Sequence, residues 1–267
     1  MSDYETVNVH RRGHAATVEL NRPDSMNAWN RQLGLDLRAA VEQVAADDDV
    51  RAVCITGAGR GFSSGADLKD LGARDEVTEN GRPDVYRVLT ERYHPIITGI
   101  RRMPKPVVAA VNGPAVGIGL SLALAADLVI AKESAYFLLA FVNIGLVPDG
   151  GSSLFVPERI GLTRATELAM LGERVPARQA ADWGLINRAV PDDAFAAEVD
   201  ALVTRLADGP TASFAGTKRQ LNAWLFERMD VQLELEAQIQ REMAASDDFL
   251  EGVSAFVEKR QAAFRGR

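Results

Sequence analysis

Asp149 lies in Val147-Pro148-Asp149-Gly150-Gly151-Ser152-Ser153, just ahead of a short predicted helix and behind a largely apolar run from Phe137 to Leu146. Two roles are open to it. As an N-cap it would accept a bond from the N–H of Gly151 or Ser152. As a desolvated acid it would hold its proton to higher pH and exchange it with a bound molecule. Burial disfavours its charge and capping favours it, and the sequence leaves that balance open. A second candidate is Gly113-Pro114-Ala115-Val116-Gly117-Ile118-Gly119, between a predicted buried strand and a predicted buried helix. Unpaired N–H groups at a helix start carry partial positive charge and suit a developing oxyanion, although a tight packed turn uses the same residues. His94, in the helix before Pro104-Lys105-Pro106, is a third candidate for acid–base work; considered alone, it fits a helix-face histidine better. His10 and His14 have no third ligand nearby, so no metal site is expected.

Other patterns fail on context. Gly61-Phe62-Ser63-Ser64-Gly65 fits the G-x-S-x-G of serine hydrolases, but a glycine loop separates it from the preceding strand. The last histidine in the chain is His94, so no histidine follows in the position such a triad needs beyond its acid. Gly57-Ala58-Gly59 lacks the third glycine of a dinucleotide fingerprint, and no phosphate-binding G-x-x-x-x-G-K-[ST] occurs.

The elements that must hold these residues alternate between strand and helix. Residues 5–10 and 14–20 read as a hairpin around Gly13, 32–46 as an amphipathic helix and 50–56 as an apolar strand. Residues 70–83 are charged and without apolar period, which predicts a mobile surface loop suited to act as a lid. A helix over 85–101, a buried strand over 107–111, a buried helix over 118–125 and a strand over 128–131 follow. Helices over 150–159, 164–171 and 177–183 lead to a strand over 186–190. Beyond residue 194 only helical periodicity remains, in pieces near 194–207, 211–227, 230–245 and 248–262. The chain divides near residue 200, into a core over 1–200 that carries the site and a helical region over 201–267. Leu225, Met229, Leu233, Leu235, Ile239 and Met243 give that region a long apolar stripe, which fits contact with another subunit as well as packing onto the core.

With 267 residues and 47% hydrophobic content, the chain is long enough for a large core. Its net charge of −7 argues against general affinity for nucleic acid or anionic membrane, and leaves room for one local basic patch. Cys54 is the single cysteine, which excludes an intrachain disulfide and fits a reducing cytosol. The N-terminus has no signal-peptide pattern, so a cytoplasmic protein is expected. Residues 106–126 are uncharged, but Asn112-Gly113-Pro114 breaks them into strand, turn and helix rather than a membrane span.

Taken in order, these segments resemble the crotonase superfamily, also called the enoyl-CoA hydratase/isomerase family. The resemblance is carried by Asn21-Arg22-Pro23 with Asn27-Ala28, Val53 to Gly57, Gly61 to Lys69, Lys105-Pro106-Val107, and Asn112-Gly113 through Leu120. It continues in Gly145 to Pro148, Gly184-Leu185-Ile186, and Glu251 to Arg260, so it covers nearly the whole chain. It implies an α/β fold, a spiral of strand-strand-helix turns with a C-terminal α-helical trimerisation region, assembled as a homotrimer or a dimer of trimers. It also implies an acyl-CoA thioester as substrate, with the amides of Ala66 and Ile118 on the thioester oxygen. By the same resemblance Ser64, Ala66 and Leu68 line the coenzyme channel, and Phe256 and Lys259 help to hold the coenzyme.

The departures sharpen this expectation. The family's hydratases use two glutamates to move water, and Ser121 and Phe141 stand at the matching positions. Asp149 instead falls where a carboxylate acts in the phenylacetate-pathway ring isomerase and in peroxisomal-type 3-enoyl-CoA isomerases. The resemblance therefore implies an isomerase that shifts a double bond by a 1,3-proton transfer, with coenzyme A as part of the substrate and no metal or redox cofactor. Three alternatives stand beside it: a weak hydratase, a non-catalytic acyl-CoA-binding protein, and a dehalogenase. The last follows from His94 with Asp149, which resembles the pair in 4-chlorobenzoyl-CoA dehalogenase, although Phe141 replaces that enzyme's supporting tryptophan.

Overall fold

A computed structural model of the chain describes residues 4–69, 77–79 and 81–267. Strand β1 (Val7–Arg12) pairs antiparallel with β2 (Ala15–Leu20), with Val9 opposite Val18. Helix α1 (Arg31–Ala46) begins where the Asn30 side chain accepts from Leu33 N–H, and it buries Leu33, Leu37, Ala40, Val41 and Val44 along one stripe. Strand β3 (Ala52–Gly57) lies parallel to β2. The helical stretch expected over 85–101 is built from α2 (Val85–Val88), a π-helical turn Leu89–Tyr93 and α3 (His94–Arg102).

From there the chain repeats a unit. Strand β4 (Val107–Val111) extends the main sheet, β5 (Ala115–Val116) enters a second sheet, and α4 (Ile118–Ala125) follows. Strand β6 (Leu128–Lys132) and β7 (Tyr136–Leu138) divide between the sheets in the same way, ahead of α5 (Ser152–Leu171). Gly161, at φ 77°, interrupts α5, which accounts for the two separate helices read from the sequence. Strand β8 (Val175–Pro176), α6 (Ala177–Asp182) and β9 (Arg188–Val190) complete the pattern. The large sheet has the order β1-β2-β3-β4-β6-β9 and is parallel from β2 onward. The small sheet has the order β5-β7-β8. These are the strand-strand-helix turns expected. The uncharged 106–126 segment is spent on β4, β5 and α4, and no helix among the described residues is long and apolar enough to cross a membrane.

Strand alternation gives the large sheet two apolar faces. Val53, Ile55, Val107 and Ala109 point into the main core with α1, α3 and α4. Ala52, Cys54, Val108 and Ala110 point the other way, against Phe195, Val203 and Ala207 of α7 (Phe195–Ala207). The boundary expected near residue 200 therefore falls inside a helix that covers the sheet. The predicted loop over 70–83 lies largely outside the described residues; within it, Val77 bridges Pro83 and Thr78 N–H donates to Arg82 O.

Helices α8 (Thr211–Leu225), α9 (Met229–Ala244) and α10 (Asp247–Glu258) end the chain near the expected limits. The apolar stripe read from the sequence divides. Met229 and Leu233 are buried, whereas Leu225 and Leu235 are exposed, and the buried face of α9 continues instead through Glu236, Ala237, Gln240 and Ala244. Helix α8 is tied to the core by charge. Buried Lys218 donates to Ile100 O, Lys105 O and Asp127 Oδ2 at 2.8, 3.2 and 2.8 Å, and Arg101 lies 3.3 Å from Asp127 Oδ1. Removing the one acid would leave two buried cations without a counter-charge. Asp127→Ala is expected to lower the unfolding free energy by about 3 to 5 kcal/mol, read from urea denaturation.

Candidate active site

The loop after β3 and the start of α4 are drawn together by backbone pairing. Val116 N–H donates to Ser63 O, and Ser63 bridges Ala115. Gly65 stands at φ +94°, and a Cβ there would meet Val116 O at 3.0 Å, so only glycine allows this approach. On the other side of the loop, Trp29 N–H donates to Gly65 O and Asp67 N–H donates to Trp29 O. In such a pairing the residue between the two bonds directs its own N–H off the opposite edge, so Ala66 N–H points away from Trp29. Ile118 N–H begins α4, where no earlier helical carbonyl can receive it. Neither N–H has an acceptor among the described residues.

Ala66 and Ile118 both line a cavity of about 350 Å³. Its walls are mainly apolar, from Leu68, Val85, Leu89, Tyr93, Phe141 and Leu146. Among the described lining residues Asp149 is the one carboxylate, and Arg174, stacked on Tyr136 at 4.5 Å, is the one cation. Ser64 and Leu68 also line the cavity, and Phe256 reaches it from α10 although 62% exposed. Lys259 is exposed at the left-handed C-cap of α10 and is not part of the wall.

Asp149 is buried and held mainly through its backbone. Its carbonyl oxygen accepts from Ser121 Oγ at 2.7 Å and Ser152 Oγ at 2.8 Å. Gly150, at φ +60°, packs where a Cβ would lie 2.4 Å from Ile118 Cδ1, which seats the Asp149 turn directly on the start of α4. The carboxylate does not cap α5, contrary to one of its two expected roles. Glu236 of α9 takes that position, accepting from Gly151 N–H at 2.8 Å and Ser153 N–H at 3.1 Å. Asp149 Oδ2 accepts from Gln240 Nε2 at 2.8 Å, and the buried Oδ1 has no partner among the described residues. Desolvation, helped by the negative field of Glu236, pushes the Asp149 carboxyl up to about 8, with the Gln240 bond pulling the other way. Burial also raises Glu236, to about 7, against its hydrogen bonds.

Ser63 is fully buried, with its Oγ donating to Asn27 O, so it offers no nucleophile to the cavity. His94 does not line the cavity either. The π turn sets Leu89 and Tyr93 on the wall, and the next residue turns away, towards the field of Glu234 on α9. Burial pushes the His94 imidazole down to about 4, and its Nε2 is buried without a partner among the described residues.

The model of the enoyl-CoA hydratase/isomerase family matches residues 11–267. The chain belongs to that family. It is 43% identical over 264 residues to a probable enoyl-CoA hydratase of Rhodobacter capsulatus, with 99% of each chain covered. It is 39% identical to the 1,2-epoxyphenylacetyl-CoA isomerase of Escherichia coli, covering 98% of this chain and 99% of that one. The crystal structure of an enoyl-CoA hydratase from Mycobacterium avium subsp. paratuberculosis superposes with a TM-score of 0.89 at 39% identity, covering 98% of this chain and all of the other. The fold is therefore the crotonase spiral. Within this family member, Glu236 and Gln240 are the site residues that sequence reasoning missed. Their signal was present: they fall between Leu233, Ala237 and Ala244 on the buried face of α9, where polar residues need a partner.

Asp149 also makes stability depend on pH. The native protein keeps this proton up to about pH 8, whereas the unfolded chain releases it near the ordinary carboxyl value. Stability therefore falls as pH rises across that interval, by up to about 1.4 kcal/mol per unit, and levels off above it. Asp149→Asn removes this contribution and leaves that of Glu236. Urea unfolding near pH 5 and near pH 8 should show the variant gaining stability relative to wild type as pH rises.

Proposed function

We propose that this enzyme isomerises 3-enoyl-CoA thioesters to 2-enoyl-CoA thioesters, or carries out a related ring-acyl-CoA isomerisation, by a 1,3-proton transfer. Asp149 removes a proton from C2, the dienolate oxygen rests on the N–H groups of Ala66 and Ile118, and the same carboxyl returns the proton at C4. The proton removed is the proton returned, so the step balances without metal or redox cofactor, and coenzyme A enters as part of the substrate. The observation that carries this reading is that, among the described residues, the cavity is lined by a single carboxylate, buried and with one unpartnered oxygen, together with two unused backbone donors. A carboxyl raised to about 8 is a stronger base than an exposed aspartate, and it retains the proton long enough to deliver it. The amides favour charge that develops only after deprotonation, so they lower the barrier rather than tighten ground-state binding.

Hydration is less well supported. It calls for a second carboxylate to carry water, and here Ser121 is spent on the Asp149 carbonyl while Phe141 is apolar. Glu236 is turned to the N–H groups of α5. Exposed Trp224 on α8, Val231 on α9 and Val257 on α10 support assembly with further copies of the same chain.

The test is a panel of 3-enoyl and 2-enoyl thioesters incubated in deuterated water and followed by mass spectrometry. Wild type should interconvert the isomers, with deuterium entering C2 and C4 only as the Asp149 proton exchanges with solvent over repeated turnovers, and with kcat/KM rising to a plateau above about pH 8. Asp149→Asn should lose this activity by at least about a thousandfold while still binding acyl-CoA. Unchanged turnover in that variant, or water addition to crotonyl-CoA that survives it, would overturn the assignment.

A further inference from the structure

We propose that Gln240 and Glu236, on one face of α9, are positioning residues for Asp149: Gln240 fixes which carboxyl oxygen carries the exchanged proton, and Glu236 strengthens that oxygen as a base. The inference rests on the isomerase reading for its catalytic meaning, and on geometry for the rest.

The orientation of the Gln240 amide follows from its neighbours. Val147 O can only accept, so the group 2.8 Å from it must be the Gln240 NH2. The same nitrogen lies 2.8 Å from Asp149 Oδ2, and its second hydrogen is directed there. With Gln240 fully buried and gripped by Val147, Oδ2 permanently receives a donor and is the poorer place for a proton. The proton of the neutral acid is thereby assigned to Oδ1, the oxygen without a partner among the described residues, on the residue that lines the cavity. A carboxyl free to rotate would present either oxygen; this one presents one.

Glu236 supplies the second constraint. Its oxygens are held by Gly151 N–H, Ser153 N–H and Ser153 Oγ, so its carboxyl is fixed in position beside the Asp149 turn with no hydrogen bond to Asp149. Two buried negative charges so close repel, and the carboxyl in contact with substrate is the one that answers by holding its proton. Among the described residues, the other elements around Asp149 add no compensating cation. Helix α4 contributes neutral Ser121, α5 contributes Ser152, and the cation of the cavity wall, Arg174, is exposed and stacked on Tyr136. His94 on α3 lies in the field of Glu234 instead.

The two residues therefore act on Asp149 in opposite directions, and this separates positioning from mere support. Isotope-edited NMR of the aspartate carboxyl carbons in the full-length protein, with Asp149→Asn to assign the signal, gives its titration midpoint without any substrate. Gln240→Met removes the donor at similar volume and should move the midpoint upward by about one pH unit or more, while Glu236→Gln should move it downward by a similar amount. The pH profile of kcat for 3-hexenoyl-CoA should follow each shift. Loosened packing would admit water and lower the midpoint in both variants. Two downward shifts, or none, would overturn the proposal. Should Gln240→Met fail to fold, Gln240→Glu keeps the side-chain shape and must also move the midpoint upward. A wild type without isomerase activity whose midpoint still moves in opposite directions would sink the isomerase reading alone, and an active wild type with unmoved midpoints would sink the positioning alone.

Discussion

The withdrawal of one carboxylate from water, with its capping function taken over by another acid, is the constraint on which this site depends. Asp149 stands just before α5, where an aspartate would ordinarily cap the helix and stay ionised. Glu236 reaches across from α9 and occupies those N–H groups instead. Asp149 is thereby left with one hydrogen bond and an unfavourable field, and desolvation decides its protonation. A cap supplied from another helix thus leaves a helix-start carboxyl that holds its proton well above the ordinary carboxylate range.

The large sheet makes such a site rigid. Because β3 and β4 bury both faces, neither can shift register without exposing Val53 and Val107 on one side or Cys54 and Val108 on the other. The loop leaving β3 and the β5–α4 junction leaving β4 are therefore carried on neighbouring parallel strands, and they meet at Gly65 and Val116. The two N–H donors at Ala66 and Ile118 are backbone groups, so their positions are set by strand pairing rather than by rotamers. The Asp149 turn is then seated on Ile118 through Gly150. Acid and donors share one support, which favours the preorganisation that electrostatic catalysis requires.

Much of this was legible in the residues. The order of strands and helices and the buried helix after Gly117 follow from apolar period and local motif, whereas Asp149 was singled out as the catalytic acid by the family resemblance. What was not legible has specific causes. Strands β5, β7 and β8 are too short to show a period of two, so the small sheet did not register. His94 was brought to the site by its resemblance to the dehalogenase histidine, whereas in the structure it follows the π turn over Leu89–Tyr93 and does not line the cavity. The balance between capping and burial at Asp149 was open because its answer lies on α9, far along the chain. Apolar counting along α9 selected Leu235, which is exposed, and passed over Glu236 and Gln240, which are buried.

That last difference shows where function departs from folding. A helix chosen for stability alone would carry leucine at both polar positions of its buried face, since two buried acids near the same helix start disfavour the native state as pH rises. The cost is tolerable because the cores on both faces of the sheet are large, and because every oxygen of Glu236 is hydrogen-bonded. Of the oxygens of these two acids, Asp149 Oδ1 is the one left without a partner among the described residues. Among the described residues, the one unpartnered oxygen of the Asp149–Glu236 pair belongs to the residue on the cavity wall, which is the pattern expected when an unfavourable group is kept for chemistry rather than for packing.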